Sequence, residues 1–261
     1  MRSFSLLLLL ALCAGAQLRA QNIPFDSATY AAWIDMRVGD GDQPVFWYCT
    51  GEIYTYPEGE LVGKMVGVDM AKLLPVSPDS VVQLNRKIFL YLDKDTGEVL
   101  REVDGKPVRH IQYPYQQIAY VRENDRLKTW VTQGAGEGVR TIGPGYKTYA
   151  RHVGDTYFFN APIFLNFETP RGSYQAAENY DFIVHPNEPR TEDRYQLMWW
   201  RYGDLAAHYG QTKGTIQLVS YRIDSFADIP DPLRSYIEQE APLWTRPPQD
   251  MAEIAKLQRG E

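Results

Sequence analysis

Four histidines, His110, His152, His185 and His208, are the side chains best suited to move a proton near neutral pH. They fall on separate segments, too far apart for a local metal motif, yet strands wrapped round one interior could bring them together. Strand residues alternate between faces, so Asn179, Asp181, Ile183 and His185 share one face while Tyr180, Phe182 and Val184 share the other. By the same rule His110, Gln112 and Pro114 oppose Arg109, Ile111, Tyr113 and Tyr115. Likewise Leu84, Arg86, Ile88 and Leu90 oppose Asn85, Lys87, Phe89 and Tyr91. Polar groups set in such an aromatic lining must be hydrogen-bonded. The functional reading is an acid–base pair made by His110, His152 or His185 with Asp181 and a nearby tyrosine such as Tyr113, a device worth ~10²–10⁴ in rate. Tyr113 or Tyr115 could polarise a carbonyl or phenol oxygen. The alternative is that each histidine is a partly exposed strand residue or a hydrogen-bonded core residue.

Binding residues follow from the same alternation. Leu197 to Tyr202 puts Trp199 and Arg201 on one face, and an arginine among aromatics can clamp a ligand carboxylate or stack on a ring. Arg86 invites the same reading; for both, the alternative is an ion pair at the end of the fold. Trp47, Tyr91, Tyr113, Phe158, Phe182 and Trp199 fall in six strand segments and can line one interior. Trp47, Arg86, Tyr91, Tyr115, Phe158, Trp199 and Arg201 are thus the expected ligand contacts. Pro114, which cannot donate to a ladder, marks a bulge at a pocket mouth or an edge strand.

Local signatures of other chemistries are absent: no zinc-protease helix motif, Cys-x-x-Cys pair, phosphate loop, nucleophile elbow or dinucleotide fingerprint occurs. Neither metal nor cofactor is expected. Gly134-Ala135-Gly136-Glu137-Gly138 reads as a hairpin turn, since no βαβ unit surrounds it. Cys49 lies in the apolar run Val45 to Cys49 and reads as a small buried hydrophobe, with no local group to activate a thiolate.

The elements that must position these residues are strands. Segments rich in β-branched and aromatic residues run from Phe46 to Tyr54, Leu61 to Met70, Val81 to Leu92, Val108 to Val121, Leu127 to Thr132, Tyr146 to Val153, Tyr157 to Phe167, Tyr180 to Val184, Tyr195 to Arg201 and Thr215 to Ile223. Turn signals such as Asp95-Thr96-Gly97 and Gly143-Pro144-Gly145 separate them. About ten antiparallel strands are enough to close a ligand-holding barrel and remove exposed edges. Helices are expected over Ser27 to Arg37, capped by Asp26 or Ser27, and from Asp231 to Ile237, while Met251 to Arg259 reads as a short terminal helix or a frayed end.

With 44% hydrophobic and 23% charged residues in 261, the chain is neither disordered nor disulfide-dense. Its 27 basic and 33 acidic side chains give −6, so nothing global draws it to nucleic acid. Aromatics make 13% of the chain, which favours strands and apolar pockets.

Residues 1–20, with Arg2 ahead of the apolar run Leu6 to Ala16, read as a secretory leader cleaved to start the mature chain between Gln17 and Gln21. The run is short of the ~20 apolar residues a membrane span needs, so no transmembrane anchor is expected. Leu10-Ala11-Leu12-Cys13 resembles a lipobox, but Leu12 is bulky where a small residue belongs. Losing Arg2 and Arg19 takes the charge to −8, and losing Cys13 leaves Cys49 alone. Residues 21–261 are expected to form one domain in a periplasmic or secreted protein, with association into a homo-oligomer left open.

Val45 to Tyr54, Tyr91 to Leu100, and Tyr221 to Arg234 followed by Pro242-Leu243-Trp244 and Pro247-Pro248 carry a resemblance. In these stretches the chain resembles the family known as domain of unknown function 1838. The resemblance implies an antiparallel barrel similar to lipocalin-like (calycin) barrels and supplies no catalytic residue. The chain departs from it at Arg101-Glu102-Val103-Asp104-Gly105, where the family pattern runs Trp-x-Asn-Pro. The expectation is then an exported, cofactor-independent lyase or isomerase acting on a small apolar or aromatic molecule, or a non-catalytic carrier or sensor of such a ligand.

Overall fold

The computed structural model describes residues 21–39, 41, 43–135, 138–142, 147–169, 172–210 and 212–260. The expected leader lies outside these residues, as do Gly136 and Glu137 of the glycine-rich turn and the Gly143 to Gly145 turn. Alternating apolar segments become strands because half of each can face an interior. They are β1 (Gln21–Ile23), β2 (Val45–Thr55), β3 (Leu61–Ser77), β4 (Ser80–Leu92), β5 (Glu102–Val103), β6 (Lys106–Pro107), β7 (Ile111–Glu123), β8 (Arg126–Ala135), β9 (Gly138–Ile142), β10 (Tyr149–Val153), β11 (Thr156–Thr169), β12 (Gly172–Val184), β13 (Tyr195–Asp204) and β14 (Lys213–Ile223). The helices are α1 (Ser27–Val38), α2 (Thr191–Arg194), α3 (Leu233–Glu240) and α4 (Met251–Gln258). None is long and apolar enough to cross a membrane.

Twelve of the strands form one antiparallel sheet in the order β1-β10-β11-β12-β13-β14-β2-β3-β4-β7-β8-β9, and β5 with β6 makes a separate hairpin from the Arg101 to Gly105 departure. The sheet curls into a half-barrel. Closure was the expectation and it is corrected here: among the described residues no ladder joins β1 to β9. The N-terminal segment spans the opening instead. β1 pairs with β10, and two residues later the Phe25 N–H donates to the Asp125 carbonyl in the β7–β8 turn at 2.9 Å. β1 and β9 are the sheet strands that alternation did not mark, being three and five residues long.

α1 fills one end of the interior. The Asp26 carboxylate accepts from the Thr29 N–H and caps it. Trp33 then packs edge-on against Tyr120, Phe159 and Phe182, at ring separations of 5.7, 5.3 and 5.3 Å. Residues from β7 and β11, far apart in the strand order, thus meet on one indole.

The outer face of β2, β3 and β4 is apolar as well. The C-terminal chain covers it: Ile229, Leu233, Ile237 and Trp244 pack on Phe46, Tyr48, Val66, Val68, Met70, Ile88 and Leu90. The three central strands are therefore buried on both faces.

Candidate functional site

Within the curl lies a cavity of about 610 Å³, walled by residues of β2, β3, β4, β7, β8, β11, β12, β13 and β14 and bounded at one end by Trp33 and Arg37 of α1. Asp204 alone among the lining residues is exposed, which places the mouth at the far end, beside Leu205. Aliphatic Met65, Ile111, Ile118, Val131, Ile163, Ile216 and Leu218 and the rings of Phe89, Tyr91, Phe182 and Trp199 make the walls. Gly67 gives Phe89 its place, since a Cβ there would meet the ring at 2.1 Å.

The end next to α1 is polar. Arg37 donates to the Tyr120 hydroxyl at 3.2 Å and to Gln83 Oε1 at 3.4 Å, and its guanidinium lies 5.0 Å from the Phe182 ring centre. Lys87 Nζ is 3.2 Å from Asp69 Oδ2, and Asn85 donates to Asp69 Oδ1 at 2.6 Å and to Gln116 Oε1 at 3.1 Å. Nearer the mouth Arg201 pairs with Glu178 at 3.6 Å and bonds the Tyr174 hydroxyl, and Tyr180 donates to Glu178. Cys49 lines the cavity as a buried free thiol; burial pushes its pKa up to about 12, so it is protonated and not a nucleophile.

Five of the six aromatics expected to line one interior do so: Trp47, Tyr91, Tyr113, Phe182 and Trp199. Phe158 does not, because its neighbour Phe159 is the inward residue of β11. Arg201 lines the cavity beside Trp199, as their shared face implied.

Tyr115 and Arg86 lie elsewhere. The ladder between β4 and β7 shifts between Asn85 and Lys87, so Pro114 and Tyr115 together oppose Arg86. This bulge leaves Tyr113 and Gln116 inward and turns Tyr115 outward onto Leu84 and Ile254. The two tyrosines do not share a face. Arg86, fully buried on the outer side, donates to the carbonyls of Pro114, Leu243 and Arg246 and to Glu253, and so clamps the C-terminal chain.

No histidine lines the cavity among the described residues. His110 Nδ1 accepts from the Tyr91 N–H at 3.2 Å, and its ring packs edge-on against Tyr236 of α3. His152 packs on Tyr157 at 3.9 Å between ring centres, and His185 Nδ1 lies 3.1 Å from Thr156 Oγ1. Asp181 faces outward on β12, where the amides of Asn160 and Asn179 both donate to it at 2.6 Å. The expected convergence of His110, His152 and His185 with Asp181 and Tyr113 does not occur, because the inward parity of β12 belongs to Tyr180 and Phe182. The charged lining residues missed include Arg37, Asp69, Lys87 and Glu178. A charged residue within the apolar run Val66 to Ala71 was the available signal for Asp69.

Burial, followed by His208 and Arg101, pushes the His110 pKa down to about 4. The unfolded chain takes up this proton near 6.5 and the folded one only near 4, so stability is lost as pH falls through that window. His110→Gln, which keeps an acceptor for Tyr91, is expected to flatten the fall. Urea midpoints measured across the window check this, and an unchanged slope contradicts it.

A family model described as "Protein of unknown function (DUF1838)" matches residues 42–258. No curated protein matches the chain. Among solved structures, outer membrane phospholipase A from Escherichia coli is similar, with a TM-score of 0.32 and 10% identity over 77% of this chain and 99% of that one.

Proposed function

The chain belongs to the DUF1838 family, and for it we propose the role of an exported binding protein that holds a small apolar or aromatic molecule inside the half-barrel. The observation that carries this is the cavity itself. Its volume of about 610 Å³ falls in the range of small-molecule sites, and its apolar walls converge on a few fixed polar groups. That the histidines lie away from it favours holding a ligand over histidine-driven turnover. Export rests on the leader pattern of residues 1–20.

Titration with the neutral fluorophore N-phenyl-1-naphthylamine tests the reading. Emission is expected to rise saturably with one probe per chain while Trp47 and Trp199 fluorescence is quenched. A linear, unsaturable rise would count against it.

A second reading, turnover of the bound molecule, finds support in the Lys87–Asp69 pair beside Tyr113, side chains able to move a proton.

A further inference from the structure

We propose that the ligand is a monoanion, a carboxylate on an apolar body, with its charged group seated at the α1 end of the cavity between Lys87 and Arg37. The inference rests on the binding reading and names the ligand class for that site. Lys87 Nζ and Arg37 Nη2 lie 3.2 and 4.0 Å from one shared oxygen of Asp69. Their side chains are 17% and 8% exposed, and that of Asp69 is 11%. Two cations share one carboxylate here, leaving one positive charge inside a chain whose overall charge is −6. An unbalanced buried charge is costly unless an ion neutralises it.

Hydrogen bonding points the same way. Trp33, Trp47 and Thr129 line this cavity, and their indole N–H groups and hydroxyl are buried in its wall without a partner, against one unpartnered acceptor nearby, Asn85 Oδ1. Indole N–H groups can only donate, and the Thr129 hydroxyl can do so. A donor surplus around one spare positive charge suits carboxylate oxygens. A dianionic phosphate monoester would leave the floor negative. The Arg201–Glu178 pair nearer the mouth is balanced and adds no such pull.

The test displaces N-phenyl-1-naphthylamine with matched pairs at neutral pH: dodecanoate against dodecanol, and naphthoate against naphthalenemethanol. In at least one pair the acid is expected to bind about ten- to a hundredfold tighter than the alcohol, the worth of a charged hydrogen bond. Lys87→Met should erase that ratio and Asp69→Asn should widen it, each in protein whose circular dichroism matches the wild type. If one of the two variants does not fold, the other decides. Equal affinities within both pairs, or acids that fail to displace the probe, overturn the proposal and leave the binding reading standing. Failure of the probe itself to bind overturns both.

Discussion

Replacing Arg86 by methionine is expected to destabilise the protein by about 3–5 kcal/mol, the cost of breaking a buried charged network by removing one partner. Methionine ends where the arginine Nε stands, so the loss combines the missing bonds with the space the guanidinium leaves. Arg86 is fully buried, and its guanidinium donates at 2.6, 2.8 and 2.9 Å to the carbonyls of Pro114, Leu243 and Arg246 and at 2.7 Å to Glu253. Without it three carbonyls and a carboxylate are left short of a donor under the C-terminal chain. A fall in urea midpoint with unchanged slope checks the prediction, and a loss below about 1 kcal/mol, the worth of one ordinary hydrogen bond, contradicts it. The clamp is also sensitive to acid. Burial would raise the Glu253 carboxyl, but bonds from Arg86, the Gln249 N–H and Arg246 outweigh it and hold the pKa at about 2. This stabilisation is whole above the ordinary carboxylate range and is lost as pH falls toward about 2, below the window in which His110 acts.

Trp33→Ala is expected to cost about 3–5 kcal/mol, the range for emptying a large aromatic site. Trp33 is 3% exposed and touches the rings of Phe25, Tyr120, Phe159 and Phe182, which come from the N-terminal segment and three strands. Since among the described residues no ladder closes the sheet, this packing and the N-terminal segment together join the β7 side of the opening to the β11 side. The same substitution removes one boundary of the cavity, so probe binding should weaken together with stability. Thermal unfolding and probe titration of one sample check both, and a stable variant with unaltered binding would mean that α1 neither closes the half-barrel nor bounds its cavity.

The strands were legible because alternation is a direct consequence of a two-faced sheet. The face that turns inward was less so, since both faces of β4 carry apolar residues. Leu84, Ile88 and Leu90 pack under the C-terminal chain, while Phe89 and Tyr91 line the cavity. The unbroken run Val45 to Cys49 held the missing signal, since a strand apolar at every position is covered on both sides. A second cover had to exist, and an arginine at Arg86 in the outward register had to lie beneath it. The reversal between Tyr113 and Tyr115 depends on one extra residue in the ladder. Pro114 marked that bulge, but the partner strand was needed to show its effect. Closure was overestimated because strand count alone does not say that a helix will occupy the interior. The histidines misled for a simpler reason: at strand ends, such as His110 and His185, parity no longer fixes a side chain to the inner wall.

The most direct test of the account is to fill the cavity. Ala161 faces it from β11 and is 7% exposed. Ala161→Trp is expected to abolish N-phenyl-1-naphthylamine binding while leaving the circular dichroism spectrum unchanged. A folded Ala161→Trp variant that binds the probe as the wild type does would contradict the claim that the interior of the half-barrel is the binding site.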